Sequence, residues 1–313
     1  MAQLIRTRDG RALAVETFGN PRGRPVFMLH GTPGSRLGPA PRAAVLYRLG
    51  VRLITFDRPG YGDSDRLPGR LVAAAAADVE AVADALEIDE FAVVGRSGGA
   101  PHALACAALL PDRTVRTAAL VGLAPRNAPG LNWFDGMTES NVREYINAAA
   151  GHRQLTAALE FRSLAIRSDP DASVADMHRG LPDADRQIVS DVGIRSMLVR
   201  NFAEGLSSSA DGWVDDVMAF SLDWGFRPED IEGPVLLWHG EQDIFAPVQH
   251  TRWLAERIPR AELVVERGAA HFAALRVLTR VLSWATRSRA TDGTDGVDGT
   301  DEVDAADQVK RTG

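Results

Sequence analysis

The chain has 313 residues, 45% hydrophobic and 25% charged, the balance of a globular protein with a substantial core rather than a disordered or fibrous one. Its formal charge of −7 is concentrated at one end: from Ser288 onward seven acids oppose three bases, a net of −4, which leaves about −3 for the rest and no basic face for nucleic acid. Cys106 is the only cysteine, so no intramolecular disulfide forms. There is neither a basic-then-apolar leader nor an apolar run of about 18 residues, and the expectation is a cytoplasmic protein away from membranes. A single lysine, Lys310, beside 34 arginines and an alanine excess suggests a GC-rich bacterial coding sequence.

Residues 3–7 and 11–18 flank Asp9-Gly10 and read as a hairpin. "PVFMLHG" at 25–31 reads as a buried strand, a helix is expected over 39–48, and "VRLITFD" at 51–57 is a second buried strand. The turn-rich "RPGYGDSD" leads into an Ala-rich helix at 70–87. A strand at 91–94 then stops at Gly95-Arg96-Ser97-Gly98-Gly99 and gives way at once to a helix with apolar positions three and four apart. Glycine is costly inside either element, so three of them in five residues mean that backbone shape matters at this turn. A serine in so tight a strand-to-helix turn has its hydroxyl pushed out of the sheet. The next strand is "TAALVGLAP" at 117–125.

Strands that are apolar throughout and alternate with helices indicate a parallel sheet covered on both faces. The alternation breaks over 126–230, where helices are expected at 138–150, 153–167, 183–204 and 211–222. It resumes with "GPVLLWHG" at 233–240, a helix at 247–257, "AELVVE" at 261–266 and a helix at 272–286. The chain therefore reads as an α/β core of 1–125 and 231–287, a helical insertion of 126–230, and a low-complexity acidic tail of 288–313 that is expected to be disordered.

A serine hydroxyl is a poor nucleophile at neutral pH; it needs a base for its proton and donors for the oxyanion its attack creates. In a parallel sheet such groups gather at the carboxyl ends of strands, so only loops that follow strands qualify. Of seven histidines, His30 and His239 each close a strand before a glycine and are expected to brace loop backbone. His102 lies on the helix after Ser97, and His152, His178 and His250 fall in helices or connections. His271 sits in "RGAAHF" directly after the last strand and is the expected general base, with a surface position at a helix start as the alternative. Asp243, in "GEQDIFAP", is its expected carboxylate partner, and Glu241 is the local competitor. The expected oxyanion donors are the backbone N–H groups of Gly98, at the head of a helix, and of Thr32 in "HGTPGSR", since Pro33 has none to give.

Gly95-x-Ser97-x-Gly99, His30-Gly31-x-Pro33-Gly34 and Asp57-Arg58-Pro59-Gly60-Tyr61-Gly62-x-Ser64, with Asp243 and His271 following in order, resemble the α/β-hydrolase-fold superfamily over residues 3–286. The resemblance implies a mostly parallel sheet of about eight strands, helices on both faces, and a helical cap inserted after strand six. It implies a Ser97, His271 and Asp243 triad working through an acyl-enzyme on a small-molecule ester, lactone or related acyl substrate, with no metal or organic cofactor. Asp57 and Ser64 match family positions that brace the floor of the site. Serine at 97 disfavours the haloalkane dehalogenase and most of the epoxide hydrolase branches, which carry aspartate there. A proline-iminopeptidase-like aminopeptidase is an alternative; those enzymes typically show HGGPG and a Trp-Gly pair where this chain has His30-Gly31-Thr32-Pro33-Gly34 and Ser97-Gly98-Gly99. Its ammonium pocket would draw on Glu139, Glu144 or Glu204. A ligand receptor and a cyclase or acyl-transfer role use the same constellation and stay open. Arg96, beside the nucleophile, either packs under the cap or meets an acidic group of the substrate. Trp133, Phe134, Met137, Trp213, Trp224 and Phe226 put bulk in the cap and are candidates to line an acyl pocket.

Overall fold

The computed structural model describes residues 2–287, so the tail expected over 288–313 lies outside the described residues. The chain opens with β1 (Gln3–Arg6) and β2 (Ala12–Gly19), an antiparallel pair joined through Gly10, whose φ of 88° suits the turn. Then follow β3 (Arg24–Leu29), α1 (Ala43–Arg48), β4 (Val51–Phe56), α2 (Ala74–Ala85), β5 (Phe91–Arg96), α3 (Gly99–Leu109) and β6 (Thr114–Leu120). Six helices come next: α4 (Glu139–Ala150), α5 (His152–Ser168), α6 (Pro170–Arg179), α7 (Asp183–Val189), α8 (Val192–Gly205) and α9 (Asp211–Ser221). The chain then returns to the sheet with β7 (Val235–Gly240), α10 (Gln249–Ala255), β8 (Ala261–Glu266) and α11 (Ala274–Ala285).

The eight strands form one sheet in the order β1-β2-β4-β3-β5-β6-β7-β8, antiparallel at β1–β2 and β2–β4 and parallel at every later pair. Side chains alternate between faces along a strand, so an all-apolar strand needs cover on both sides. In β5, Phe91 and Val93 pack with Val79 and Val82 of α2 and with Ala103 and Cys106 of α3. Ala92 and Val94 join the opposite cluster, with Val277, Leu278 and Val281 of α11. This double cover fixes the sheet and leaves its carboxyl edge to carry loops.

Two helices differ from the sequence reading. The single helix expected over 183–204 is broken into α7 and α8, because the Asp191 carboxylate accepts the Ile194 N–H at 2.9 Å and starts a new helix. The unexpected α6 begins at Pro170, where Asp169 accepts the Ala172 N–H at 2.8 Å. An acidic cap followed by proline is a helix-start signal, so this element was open to sequence reasoning. Among the described residues no helix is long and apolar enough to cross a membrane.

Candidate active site

β5 ends at Arg96 and α3 begins at Gly99, so strand turns into helix across two residues. Ser97 pays for that reversal with a φ of 56°, the left-handed region that side chains rarely adopt, at a strain on the order of 1 kcal/mol. Its N–H donates to Leu120 O at 2.8 Å and its carbonyl accepts the Ala100 N–H at 2.9 Å, which hold the turn in place. Crowding explains the glycines: a Cβ on Gly95 would strike the Gly99 backbone, and one on Gly99 would strike the backbone of Leu29 and His30.

β7 and β8 deliver Asp243 and His271 to the same sheet edge. His271 Nδ1 lies 2.7 Å from Asp243 Oδ2, and Asp243 Oδ1 accepts the Phe245 and Ala246 N–H groups at 2.8 and 3.0 Å. Burial pushes the Asp243 carboxyl up, but His271 and the hydrogen bond from His239 outweigh it and hold the group below the usual carboxylate range. A carboxylate at Nδ1 keeps the ring proton there and leaves Nε2 free to accept one. Glu241, the competitor in sequence, stays exposed.

Four other histidines are engaged in structural bonds. His30 accepts the Arg58 N–H at Nε2, 3.1 Å, and its Nδ1 lies 2.8 Å from Gly31 O. His102 Nδ1 lies 2.8 Å from Gly98 O. The His239 ring bonds Ala246 O and Thr251 Oγ1 at 2.5 and 2.6 Å, and His250 accepts the Ala124 N–H at 3.1 Å while its Nε2 bonds Trp133 O at 3.0 Å. Burial pushes His30 well below the ordinary imidazole value, His102 down to about 3 and His250 to about 4.

Thr32 follows β3 and lies against the elbow: a Cβ on Gly98 would collide with the Thr32 side chain and sit 3.1 Å from its backbone nitrogen. Among the described residues, neither the Thr32 nor the Gly98 N–H donates to a protein acceptor. The fully buried Asp216 of α9 holds this loop from above. Its Oδ2 accepts from Thr32 Oγ1 at 2.5 Å, Arg58 Nη2 at 2.5 Å and Tyr61 Oη at 2.8 Å, while Arg70 pairs with Oδ1 at 2.7 Å. Burial would raise the Asp216 carboxyl; Arg58 and Arg70 outweigh it and hold it well below the ordinary value. On the other side of the site, Asp185 of α7 accepts the backbone N–H groups of His271 and Phe272 at 3.1 and 2.7 Å. Asp57, buried beside Arg36, accepts the Arg36 N–H at 2.6 Å, and Ser64 Oγ donates to Asp57 O at 2.6 Å. Neither Asp185 nor Asp216 was singled out in the sequence, because their partners are 86 and 158 positions away.

A cavity of about 590 Å³ opens above Ser97, lined by Thr32, Arg96, Gly98 and His271 from the sheet edge and by residues of α4, α5, α6, α8 and α9. This is the size of a small-molecule site. Trp213 lines it, with Nε1 donating to Glu144 Oε2 at 3.3 Å. Trp133, Phe134, Met137 and Trp224, expected as lining residues, do not reach it. Trp133 is buried with its indole N–H on Ala124 O at 2.9 Å and its ring edge-on to Tyr145 and His250. Phe134 and Met137 pack against the same core cluster, and Trp224 is enclosed there beside Phe226. The apolar wall is instead Phe161, Ile166, Met177, Phe202, Phe220 and Phe245. Phe245, two residues beyond Asp243 in a loop after a strand, carried a positional signal; the helical ones carried none beyond their apolar spacing.

The sheet order, the elbow and the loops after β3, β7 and β8 define a class, and the sequence profile of the alpha/beta hydrolase fold matches residues 24–276: the chain belongs to that family. It is 28% identical over 297 residues to a proline iminopeptidase of Xanthomonas citri, covering 86% of this chain and 90% of that protein. It is also 28% identical over 259 residues to a 2-hydroxymuconate semialdehyde hydrolase of Pseudomonas putida, covering 80% of this chain and 81% of that one. A thermophilic esterase from Thermogutta terrifontis superposes with a TM-score of 0.64 at 20% identity, over 91% of this chain and 97% of its own, which is a likeness of fold.

Proposed function

We propose that the protein is a serine hydrolase that cleaves a carboxylic ester, lactone or similar small acyl substrate through an acyl-enzyme intermediate. The observation that carries this reading is the Asp243–His271 pair at 2.7 Å, whose histidine lies in a cavity wall that also holds Ser97 in its left-handed turn. Ser97 Oγ attacks the acyl carbonyl as His271 Nε2 takes its proton, and Asp243 stabilises the imidazolium. The unpaired N–H groups of Thr32 and Gly98 hold the oxyanion. His271 then gives the proton to the departing oxygen, and a water deprotonated by His271 releases the acid and regenerates Ser97. Residues 126–230 act as a cap over a core of 1–125 and 231–287, which accords with α4, α5, α6, α8 and α9 furnishing most of the cavity wall.

The ester reading is favoured over an aminopeptidase by the acids of the cap. Glu139 is exposed and does not line the cavity, Glu144 pairs with Arg162, and Glu204 pairs with Arg36 at 2.6 Å. None of the three is left for a substrate ammonium.

Intact-mass spectrometry after exposure to a fluorophosphonate is the test. One stoichiometric adduct is expected on the wild-type protein and none on Ser97→Ala; a folded wild-type protein that takes no adduct overturns the proposal. His271→Ala is expected to lower kcat on a nitrophenyl ester by at least ~10³-fold, a loss read in the same assay series.

A further inference from the structure

Arg96 fills the position between Gly95 and the nucleophile, and its surroundings are unlike those of the other charged residues in the cavity wall. Glu144 is paired with Arg162, Asp176 with Arg179, and His271 with Asp243. Among the described residues Arg96 has neither an ion pair nor a hydrogen-bond acceptor; its guanidinium lies 6.0 Å from the centre of the Phe272 ring. Asp185 and Asp243 are the carboxylates whose field it feels. Their oxygens are already taken, by the amides of His271 and Phe272 in one case and by His271, Phe245 and Ala246 in the other. Arg96 also borders a hollow of about 20 Å³, room for a single water, whose wall contains no carboxylate.

Arg96 is half-buried, so its guanidinium meets water only through the cavity and has no counter-charge there; an anion that enters the cavity supplies the missing partner. Burial pushes Arg96 below the ordinary guanidinium range to about 10, which leaves it cationic at neutral pH. Its planar fork fits a carboxylate in two parallel hydrogen bonds. Arg96 Nη2 and Ser97 Cβ each lie 3.5 Å from where a Cβ on Gly31 would sit, which puts them within about 7 Å of each other. We propose that Arg96 binds a carboxylate on the acyl half of the substrate, roughly two or three bonds from the scissile carbonyl, so that half-esters of short dicarboxylic acids are the preferred substrates. The choice of substrate class rests on the serine hydrolase reading; the carboxylate site does not.

The two are separated by measuring binding and turnover independently. Calorimetric titration of full-length Ser97→Ala with monoethyl succinate, and with the neutral ester in which an isopropyl group replaces the carboxylate, reads binding alone. The half-ester is expected to bind at least tenfold more tightly, Arg96→Met in the same background to abolish the difference, and Arg96→Lys to keep part of it. Equal affinity for the two esters, or a preference that survives Arg96→Met, overturns the proposal. Should Arg96→Met fail to fold, Arg96→Gln in the same background takes its place, and a tenfold preference that survives it likewise overturns the proposal. For turnover by the wild-type enzyme, the ratio of kcat/KM for the two esters is expected to favour the half-ester at least tenfold. Tight half-ester binding with no turnover of either ester sinks the hydrolase reading and keeps the carboxylate site; turnover of the neutral ester without preference does the reverse.

Discussion

His250 receives the Ala124 N–H at Nδ1 and bonds Trp133 O through Nε2, so its ring has no room for a second proton. Its folded value of about 4 lies below the ordinary 6.5, and the cause is burial. As pH falls through that interval the unfolded chain takes up a proton that the folded one refuses, and stability is lost at ~1.4 kcal/mol per pH unit. His250→Gln is expected to flatten the stability curve by that slope between 6.5 and about 4; urea unfolding across the window checks it, and an unchanged slope refutes the neutral ring. The placement of single residues was legible where a position in the chain fixes a position in space. Asp243 and His271 each follow a strand, and parallel strands end together. The facing of Trp133 or Trp224 was not legible, because an aromatic ring on a connecting segment packs equally well into core or cavity, and the partner that decides, such as Ala124 O for Trp133, is a tertiary contact.

Helices α7, α8 and α9 reach down to the loops of the sheet edge rather than merely covering them. Asp185 holds the amides at His271, Asn201 of α8 accepts the Ser35 N–H at 2.9 Å, and Asp216 gathers Thr32, Arg58, Arg70 and Tyr61. Asp216→Ala would leave two buried guanidinium groups without their counter-charge. We expect it to destabilise the protein by ~3–5 kcal/mol, seen as a lower Tm, and an unchanged Tm would show that Arg58 and Arg70 find other partners. Apart from α6, the elements themselves were legible from period and punctuation, with errors of a few residues at their ends. The break between α7 and α8 was missed because apolar spacing runs on through Asp191, and only its cap to Ile194 marks a new start.

At the scale of the molecule, these polar contacts tie the helical segment to the sheet, and the two are expected to unfold as one body. Tryptophan fluorescence reports on both parts, with Trp133, Trp213 and Trp224 in the helical segment and Trp238, Trp253 and Trp284 in the rest, while far-ultraviolet circular dichroism reports on all helices together. Fluorescence and dichroism are expected to give a single coincident unfolding transition in urea; a dichroism loss in two separate steps would mean that α4–α9 and the sheet unfold apart. The fold class was legible because strand and helix alternate, but the depth of the coupling was not, since it runs through residues far apart in the chain. The uneven exposure of the cavity wall also sets a direction of travel. Phe220 is withdrawn from the surface and Arg96 is half-buried, whereas Phe161 on α5 is 76% exposed and Asp176 on α6 is exposed as well. On the proposed hydrolase reading, a substrate is expected to enter past α5 and α6 with its acyl end foremost, and whatever trails from the leaving group is expected to remain in solvent. Length should therefore be tolerated on the leaving side and policed on the acyl side.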